Sequence, residues 1–389
     1  MTEIAPHALF RASDDSSQGR EALMPTYPRG EVTFVSGGGC TLTDARGRSY
    51  LDFGAGIAVV SLGHRHPAPL AAAHAQLDRL WHASNLYWTE PQAALAEKLA
   101  ARLPGAQSFL CNSGTEAIEA AIKLARLRTG KPGIVALDGS FHGRSTGALA
   151  ATGQPGKRSA FEPLLPGVRF AKLNDVESLA LAIGEDTGLV LLEVVQGEGG
   201  VRPADARFVQ AAARLAAEAG ALLCVDEIQT GVGRTGTFFA FEQVGVTPDL
   251  VTMAKALANG LPIGALLATG ETFAVGDHGS TFGGNPVVCA AACAVLDEIT
   301  DDLLANVQRQ GERITAALAE LPGVVEVRGA GLLIGVETLR PAAELVTSCH
   351  EQGLVVLTAG EHVLRLAPPL VVGDAEVDDA LSILQEVLQ

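Results

Sequence analysis

Short apolar runs alternate with Ala-rich amphipathic stretches between about residues 84 and 257. The runs "QSFLCNS", "PGIVALDGS", "GLVLLEVV", "ALLCVDEI" and "PDLVTMA" predict strands. The stretches "TEAIEAAIKLARLRTG" and "ARFVQAAARLAAEAG" carry apolar residues at helical spacing, and Gly130 and Pro132 end the first of them. Strands this apolar are covered on both faces, so the pattern predicts an α/β fold with a mostly parallel sheet.

The pattern changes after about Pro286. The segment "NPVVCAAACAVLDEITDDLLANVQRQGERITAALAEL" predicts one long helical stretch, and "VVEVRGAGLLIGVET" and "LVVLTAGEHVLRLAP" predict short strands. The first fifty residues contain a hairpin predicted in "GCTLTDARGRSYLDF" around Ala45 to Gly47, and they could pack with either unit. Because 389 residues exceed the length at which one core keeps growing, we expect two packed units, or one large and one small.

The charge balance excludes several classes of partner. Lys and Arg number 28 against 44 Asp and Glu, a net charge of −16 that repels nucleic acid and anionic membranes. No eighteen-residue window stays apolar, and "MTEIAPHALFRASDDSSQGRE" lacks the basic and apolar regions of a signal peptide. The six cysteines show no metal-ligand spacing. We expect a cytoplasmic enzyme with reduced thiols, no metal, no nucleic-acid partner and no membrane partner.

Two glycine-rich segments resemble nucleotide-binding motifs but lack features that those motifs require. Gly231, Gly233 and Gly236 of "VDEIQTGVGRTG" satisfy G-x-G-x-x-G after a strand. However, no long amphipathic helix follows to present its N-terminus to a pyrophosphate, and Asp226 precedes the glycines. The segment "GQPGKRS" has the wrong spacing for the phosphate loop of nucleotide hydrolases. A dehydrogenase and a nucleotide hydrolase are therefore both disfavoured.

Asp226 and Lys255 each follow a predicted buried strand, at the edge where α/β sheets bind ligands. A buried lysine tends to lose its proton, and a neutral amine is a nucleophile that can form a Schiff base. A carboxylate opposite a heterocyclic nitrogen stabilises its protonated form, as the electron sink of pyridoxal phosphate requires. A snorkelling lysine and a helix-capping aspartate are the ordinary alternatives for each residue alone. Together the two residues favour the cofactor.

Two further segments offer groups for a phosphate. In "CNSGTEAIEAA" a strand ends, Ser113, Gly114 and Thr115 turn, and a helix begins, which is an arrangement that binds anions. The same residues also read as a helix-capping box, since a glutamate follows Ser113 three positions later. Ser280 and Thr281 lie in the Gly-rich loop "HGSTFGGNP".

Candidate substrate contacts are an aromatic, a histidine and two arginines. Phe141, His142 and Arg144 share the loop "GSFHGRS", where an aromatic ring could stack on a pyridine and a guanidinium could hold a carboxylate. Arg365 lies in the apolar strand "HVLRLAPP", where it needs a carboxylate partner. Glu198 of "QGEGG" is the candidate for that partner.

The ordered set of motifs resembles the class-III, ornithine-type aminotransferases that use pyridoxal 5'-phosphate. It runs from "YLDFGAGIAVVSLGHRHP" through "HASNLYWTEPQ", "CNSGTEAIEAAIKLAR", "SFHGRS", "VVQGEGGV", "VDEIQTGVGRTG", "TMAKALANGLPIGA" and "HGSTFGGNP" to "LRLAPPL". The resemblance implies the aspartate-aminotransferase-like fold type I, with a large mixed, mostly parallel seven-stranded sheet domain and a smaller α+β domain built from both chain ends. It implies an N-terminal segment (1–50) packing with the small domain, a large domain (51–285) and a C-terminal small domain (286–389). It also implies a homodimer with shared active sites.

The resemblance assigns the cofactor contacts residue by residue. Lys255 looks like the lysine that bonds to the cofactor and shuttles the proton, and Asp226 like the partner of the pyridine nitrogen. Gln229 resembles the neighbour of the phenolic oxygen, and Phe141 the stacking ring. The remaining implied contacts, to the phosphate or the ring, are Ser113, Gly114, Thr115 and His142, with Thr281 reaching across the dimer interface.

It assigns the substrate contacts in the same way. Arg144 resembles the arginine that holds the donor's carboxylate, and Ser280 a second contact from the partner subunit. Arg365 resembles the arginine that grips glutamate and 2-oxoglutarate, with Glu198 as the acid that masks it. Tyr27 is a further implied contact. Ile57 stands where members acting on free ornithine have a tyrosine, which favours an acylated donor.

The expected activity is a ping-pong transamination between an acylated diamino acid, N-acetylornithine first, and 2-oxoglutarate. Alternative donors are succinylornithine, succinyldiaminopimelate, carrier-bound aminoadipate semialdehyde, 4-aminobutyrate and ornithine. A semialdehyde aminomutase would keep the cofactor but would need no grip on 2-oxoglutarate, so Arg365 argues against it. A non-catalytic interaction protein would have no use for Lys255 and Asp226.

Overall fold

The structure is a computed structural model that describes residues 19–30 and 32–389, so most of the N-terminal stretch "MTEIAPHALFRASDDSSQGRE" lies outside the described residues. The strands are β1 (Phe34–Gly38), β2 (Thr41–Asp44), β3 (Ser49–Asp52), β4 (Ala106–Cys111), β5 (Gly133–Leu137), β6 (Val168–Ala171), β7 (Thr187–Leu192), β8 (Val195–Gln196), β9 (Arg202–Pro203), β10 (Leu222–Asp226), β11 (Leu250–Met253), β12 (Gly264–Thr269), β13 (Val324–Ala330), β14 (Leu333–Thr338), β15 (Leu354–Val355), β16 (Leu357–Thr358) and β17 (Val363–Leu366).

The helices alternate with these strands through the middle of the chain. They are α1 (Ala55–Ala58), α2 (Pro67–Leu77), α3 (Glu90–Arg102), α4 (Gly114–Thr129), α5 (Thr146–Ala151), α6 (Pro155–Arg158), α7 (Val176–Ala182), α8 (Ala206–Glu218), α9 (Pro286–Glu298), α10 (Asp301–Ala319), α11 (Ala342–Glu351) and α12 (Asp374–Leu388), with 3-10 turns at Arg20–Ala22, Ser159–Phe161, Ala240–Val244 and Lys255–Ala258. None of the helices in the described ranges is long and apolar enough to cross a bilayer.

The central sheet has seven strands in the order β4-β12-β11-β10-β7-β5-β6. The pairs β11-β10, β10-β7, β7-β5 and β5-β6 are parallel, whereas β12 is antiparallel to both β4 and β11. This confirms the expected mixed, mostly parallel sheet. The apolar pattern predicted neither β6 nor β12 individually.

Both faces of this sheet are buried, as the continuous apolar runs indicate. In β10, Leu223 and Val225 pack into the core on one face, while Leu222 and Cys224 pack into the core on the other. Helix α8 covers the first face, and α4 covers the second. A layer of helices on each side leaves the strand ends as the place where polar groups can gather.

The long helical stretch predicted after Pro286 is divided in the structure into two helices, α9 and α10. They separate at Ile299 and Thr300, and the Thr300 hydroxyl accepts a hydrogen bond of 3.3 Å from the backbone N–H of Leu303. Asp301 and Asp302 follow in the first turn of α10, where carboxylates stabilise a helix N-terminus. A capped start of this kind ends the preceding helix.

Segments from both ends of the chain share one small sheet, of order β1-β2-β3-β15. Strands β2 and β3 form the predicted hairpin, and β3 pairs in parallel with β15, where Leu51 lies opposite Leu354. A second sheet, β13-β14-β17-β16, carries Arg365 on β17. The boundaries at residues 50 and 285 stay a prediction.

The C-terminal end of α4 provides a test of backbone conformation. Gly130 follows the helix with φ of 67°, and a Cβ there would meet no atom within 4 Å. Gly130→Ala should therefore lower the free energy of unfolding by about 1 kcal/mol through backbone strain alone. Gly156 of α6 is the matched control, because its Cβ would also meet open space and its φ is not positive. Gly156→Ala should leave stability unchanged or raise it slightly in urea unfolding, and equal losses in both variants would contradict the argument.

Candidate active site

A cavity of about 390 Å³ lies at the carboxyl ends of the parallel strands. It collects residues from the ends of β4, β7, β10 and β11 and from the loops that follow them. The polar residues that line it are Asn112, Ser113, Thr115, His142, Arg144, Glu193, Glu198, Asp226, Gln229 and Lys255. Most residues predicted from the sequence therefore meet in one place.

Asp226 is the last residue of β10, and its carboxylate is held on both oxygens. Oδ1 accepts bonds from the backbone N–H of Ile228 at 3.0 Å and from the Thr252 hydroxyl at 3.2 Å. Oδ2 lies 2.7 Å from Nδ1 of His142, whose Nε2 is buried without a partner. Burial lowers the pKa of His142, but the hydrogen bond and charge of Asp226 outweigh it and raise the pKa overall. His142 thus orients the Asp226 carboxylate through this hydrogen bond.

Lys255 lies three residues beyond Thr252, the residue paired with Asp226 across the two strands. Its backbone φ is 44°, a left-handed conformation that costs a non-glycine residue about 1–3 kcal/mol. Burial lowers the pKa of its amine to about 8, against the opposing charge of Glu198, with Arg365 lowering it further. The strained turn therefore presents an amine that loses its proton easily.

The turn before α4 has the geometry of an anion site and a helix cap at once. The Ser113 hydroxyl accepts from the backbone N–H of Glu116 at 3.4 Å and donates to Oε2 of that residue at 2.9 Å. A Cβ on Gly114 would come within 2.8 Å of the Ile228 side chain, so a larger residue there would force that side chain to shift. Thr115 Oγ1 is 2.5 Å from the Ser145 hydroxyl, which ties this turn to the loop after β5.

That loop places Phe141 and Arg144 on the cavity wall. The backbone N–H of Phe141 donates to Oε2 of Glu193 at 3.1 Å, which fixes the start of the loop. The guanidinium carbon of Arg144 lies 5.7 Å from the centre of the Phe141 ring. Arg144 has no ion-pair partner among the described residues, so its guanidinium is available to a carboxylate ligand.

Arg365 is paired with Glu198 at the side of the cavity. Its Nη1 donates to Oε1 of Glu198 at 2.5 Å, to the Gly197 carbonyl at 2.9 Å and to Oε1 of Gln229 at 3.2 Å. The Arg365 side chain is 3% exposed and that of Glu198 is 24% exposed. Burial raises the pKa of Glu198, but Arg365 and Lys255 lower it overall. The acid is therefore the better solvated member of the pair.

Two charged residues of the site were not predicted from the sequence. Glu193 follows β7 at the same edge as Asp226, and burial together with Asp226 raises its pKa to about 7, against the opposing charge of His142. A carboxylate at the end of a buried strand is the signal that identified Asp226, so it could have been found. Lys157 in α6 lies 3.9 Å from Oε2 of Glu198, a contact that no local pattern indicates.

Five predicted residues do not line this cavity within the described chain, and Arg365 is one of them, since only its partner Glu198 lies on the wall. Tyr27 and Ile57 are exposed, and Ile57 has a φ of 68° in the turn α1. Thr281 is exposed as well. The Ser280 hydroxyl accepts from Nδ2 of Asn112 at 3.1 Å, just outside the turn before α4.

The residues present fit pyridoxal phosphate. A flat cavity wall formed by Phe141 faces a buried amine, a carboxylate and the N-terminus of a sixteen-residue helix. These are the groups that would stack on a pyridine ring, bond to its aldehyde carbon, hold its nitrogen and bind its phosphate. A seven-stranded sheet of this order with such a site defines a fold-type-I pyridoxal-phosphate enzyme.

The chain belongs to the class-III aminotransferases, whose family model matches residues 26–388. It is 48% identical over 381 residues to the acetylornithine aminotransferase of Gloeobacter violaceus, covering 94% of this chain and 95% of that one. The acetylornithine aminotransferase of Mycolicibacterium smegmatis is also 48% identical, over 96% and 97% of the two chains. The enzyme is thus a pyridoxal-phosphate-dependent aminotransferase acting on small amino and keto acids.

Solved structures agree with the fold. The ornithine aminotransferase of Toxoplasma gondii superposes with a TM-score of 0.91 at 30% identity, over 96% of this chain and 93% of that one. The N-acetylornithine aminotransferase of Stenotrophomonas maltophilia has a TM-score of 0.82 at 38% identity, over 93% and 96%.

The lowered pKa of Lys255 predicts how the cofactor-free enzyme takes up pyridoxal phosphate. Only the neutral amine can attack the aldehyde, and a pKa near 8 makes it mostly neutral above that pH. Relative to N-acetyl-lysine in the same buffers, the uptake rate should rise between pH 7 and 8.5 and then level off. Absorbance in a stopped-flow instrument measures it, and Lys255→Ala should fix no cofactor on borohydride reduction. A rate that keeps climbing to pH 10, as for the free amine, would contradict this.

Proposed function

We propose that the chain transfers the terminal amino group of N-acetylornithine to 2-oxoglutarate in a ping-pong cycle. The products are N-acetylglutamate 5-semialdehyde and glutamate, and the reaction belongs to arginine synthesis. The donor is supported by the relatives at 48% identity, which are acetylornithine aminotransferases over nearly the full chain.

The single observation that supports 2-oxoglutarate as the amino acceptor is the Arg365–Glu198 pair. A ping-pong enzyme must accept two different molecules at one site, and 2-oxoglutarate carries a second carboxylate. Arg365, held in place by Gly197 and Gln229, offers a fixed guanidinium whose acidic partner can be displaced. Arg144 offers a second guanidinium on the same cavity. Two arginines, one open and one masked, suit a donor with one carboxylate and an acceptor with two.

Bound pyridoxal phosphate would supply the electron sink that stabilises negative charge at the substrate carbon. Lys255 would remove the proton from that carbon and return it, since its lowered pKa of about 8 makes the amine easier to deprotonate than an ordinary lysine. Asp226, oriented by His142, would hold the pyridine nitrogen protonated. Phe141 would cover one face of the ring and exclude water.

The remaining predicted roles belong to the same proposal. Gly114 and Thr115 would hold the phosphate with Ser113, and Gln229 would lie beside the phenolic oxygen. Ile57 lies outside the cavity of the single chain, so its preference for an acylated donor stays a prediction. Tyr27 stays a predicted substrate contact.

The test is a panel of donors assayed with 2-oxoglutarate on the holoenzyme, comprising N-acetylornithine, succinylornithine, succinyldiaminopimelate, ornithine and 4-aminobutyrate. N-acetylornithine should give the highest kcat/KM.

In Arg365→Ala, the rate of the 2-oxoglutarate half-reaction should fall about 30-fold or more, because a buried charge pair is removed, while the rate of the donor half-reaction changes far less. Single-turnover absorbance separates the two halves. A preference for another donor, or equal losses in both halves, would refute the corresponding part of the proposal.

We infer that the enzyme is a homodimer with shared active sites. Trp81, Leu86, Tyr87, Trp88 and Phe282 are large apolar side chains that are all exposed in the single chain, with Trp88 92% exposed. Nδ2 of Asn85 donates to the carbonyls of Ser280 and Gly283 at 2.8 Å, which joins the two segments into one face. An apolar face of this kind marks a protein interface.

This face carries Ser280 and Thr281, which supports their predicted action across the interface. Burying it against a second copy would bring both hydroxyls toward the partner's cavity, consistent with their position outside their own. Shared active sites make activity depend on association.

Trp88→Asp should therefore dissociate the enzyme and reduce its activity at least tenfold, because a charge is placed in the centre of the apolar face. Leu181→Asp is the matched control, because Leu181 is 81% exposed on α7, beside β6 at the opposite edge of the sheet. It should leave mass and activity unchanged. Light scattering and activity on serial dilution measure the two properties, and a fully active monomer would disprove shared sites.

A further inference from the structure

Glu198 lies between two cationic side chains, and each of its carboxylate oxygens faces one of them. Oε1 bonds to Nη1 of Arg365 at 2.5 Å, and Oε2 lies 3.9 Å from Nζ of Lys157. The first contact is a charged hydrogen bond, whereas the second is a loose ion pair. The acid is therefore shared unequally between a buried arginine and a lysine nearer the surface.

Lys157 is held in this position by an aromatic ring. Its Nζ lies 4.8 Å from the centre of the Phe141 ring, within the range of a cation–π contact. The side chain is 27% exposed, so the ammonium is partly desolvated above the cavity wall. Burial lowers its pKa, as do Arg144 and Arg365, whereas Glu198 raises it. The protonated form of Lys157 is thus stabilised by the Glu198 carboxylate.

Releasing Arg365 is costly unless Glu198 finds another cation. A partly buried carboxylate left without a partner bears a desolvation cost that its lost ion pair no longer offsets. Arg365 itself keeps its bonds to Gly197 and Gln229 when Glu198 leaves. Besides Arg365, the only cation within 4 Å of Glu198 among the described residues is Lys157.

We propose that Lys157 is a positioning residue of the second half-reaction: it receives the Glu198 carboxylate when Glu198 leaves Arg365, and so opens Arg365 to the second carboxylate of 2-oxoglutarate. This rests on the proposed function. Closing the 3.9 Å gap to a hydrogen bond requires a movement of the Glu198 side chain, which is 24% exposed. Lys157 then acts through Glu198 and touches neither substrate nor cofactor.

The test compares Lys157→Met, Lys157→Arg and Arg158→Met in the holoenzyme. Methionine keeps an unbranched stem over Phe141 but removes the charge. Arg158 is the matched control: it is the next residue of α6, its guanidinium lies 4.4 Å from the Phe170 ring, and no ion pair joins it to Glu198. Arg158→Met changes the net charge equally.

Lys157→Met should raise the apparent KM for 2-oxoglutarate about tenfold, since the pair lies between exposed and buried ion pairs. The half-reaction with N-acetylornithine should change less than twofold. Pyruvate, which has no second carboxylate and needs no opening of Arg365, should react at the wild-type rate. Lys157→Arg should restore most of the affinity for 2-oxoglutarate, and Arg158→Met should resemble wild type throughout.

A double-mutant cycle distinguishes this role from a structural one. In a Glu198→Gln background no carboxylate needs a new partner, so Lys157→Met should have no further effect on 2-oxoglutarate. Equal losses with pyruvate and 2-oxoglutarate, or additive effects of the two substitutions, would overturn the proposal. If wild type itself ignored 2-oxoglutarate, the proposed function would fail and this inference with it. A wild-type enzyme that uses 2-oxoglutarate beside an unchanged Lys157→Met would refute this inference alone.

Discussion

The parallel pairing of β10 with β11 is the constraint on which the site depends. It places Asp226 opposite Thr252, and the chain then turns at once to present Lys255. In an antiparallel pair these two strand ends would lie at opposite edges of the sheet, and the carboxylate and amine could not serve one ring. The connection between the two strands, which contains the 3-10 turn Ala240–Val244, returns the chain to the end of the sheet where β10 begins, as a parallel pair requires. Architecture and chemistry are therefore set by the same hydrogen bonds.

Burial shifts the pKa values of ionisable groups at this edge of the sheet. Lys255 has a lowered pKa because it is buried, and Glu193 has a raised one for the same reason. Each shift moves the group toward neutrality, which is how a buried site avoids unpaired charge. His142 is the exception, since Asp226 favours its charged form. A cofactor that brings its own phosphate and ring nitrogen enters a site whose free charges are already few.

Strand ends and local periodicity predicted most of the site, because functional groups in α/β proteins gather at one edge of the sheet. Asp226, Lys255 and the turn before α4 were found this way. Strand β12 was not, since "GALLAT" is composed largely of Ala and Leu, which favour helices locally, and only its place between β4 and β11 makes it a strand. The break before Thr300 carried a readable signal in the acidic residues that follow it. Contacts between distant segments, such as that of Lys157 with Glu198, have no local signal at all.

The active site and the exposed apolar face are joined by direct hydrogen bonds. Nδ2 of Asn112 donates both to Oε1 of Glu116, in the first turn of α4, and to the Ser280 hydroxyl in the exposed loop. Any displacement of that loop is therefore transmitted to the turn that would hold the phosphate. Because Asn85 ties the same loop to the segment containing Trp88, an association that orders the apolar face would also order the turn before α4. In the proposed dimer, cofactor binding would depend on association through this chain of contacts, whether or not a partner's hydroxyl reaches the phosphate.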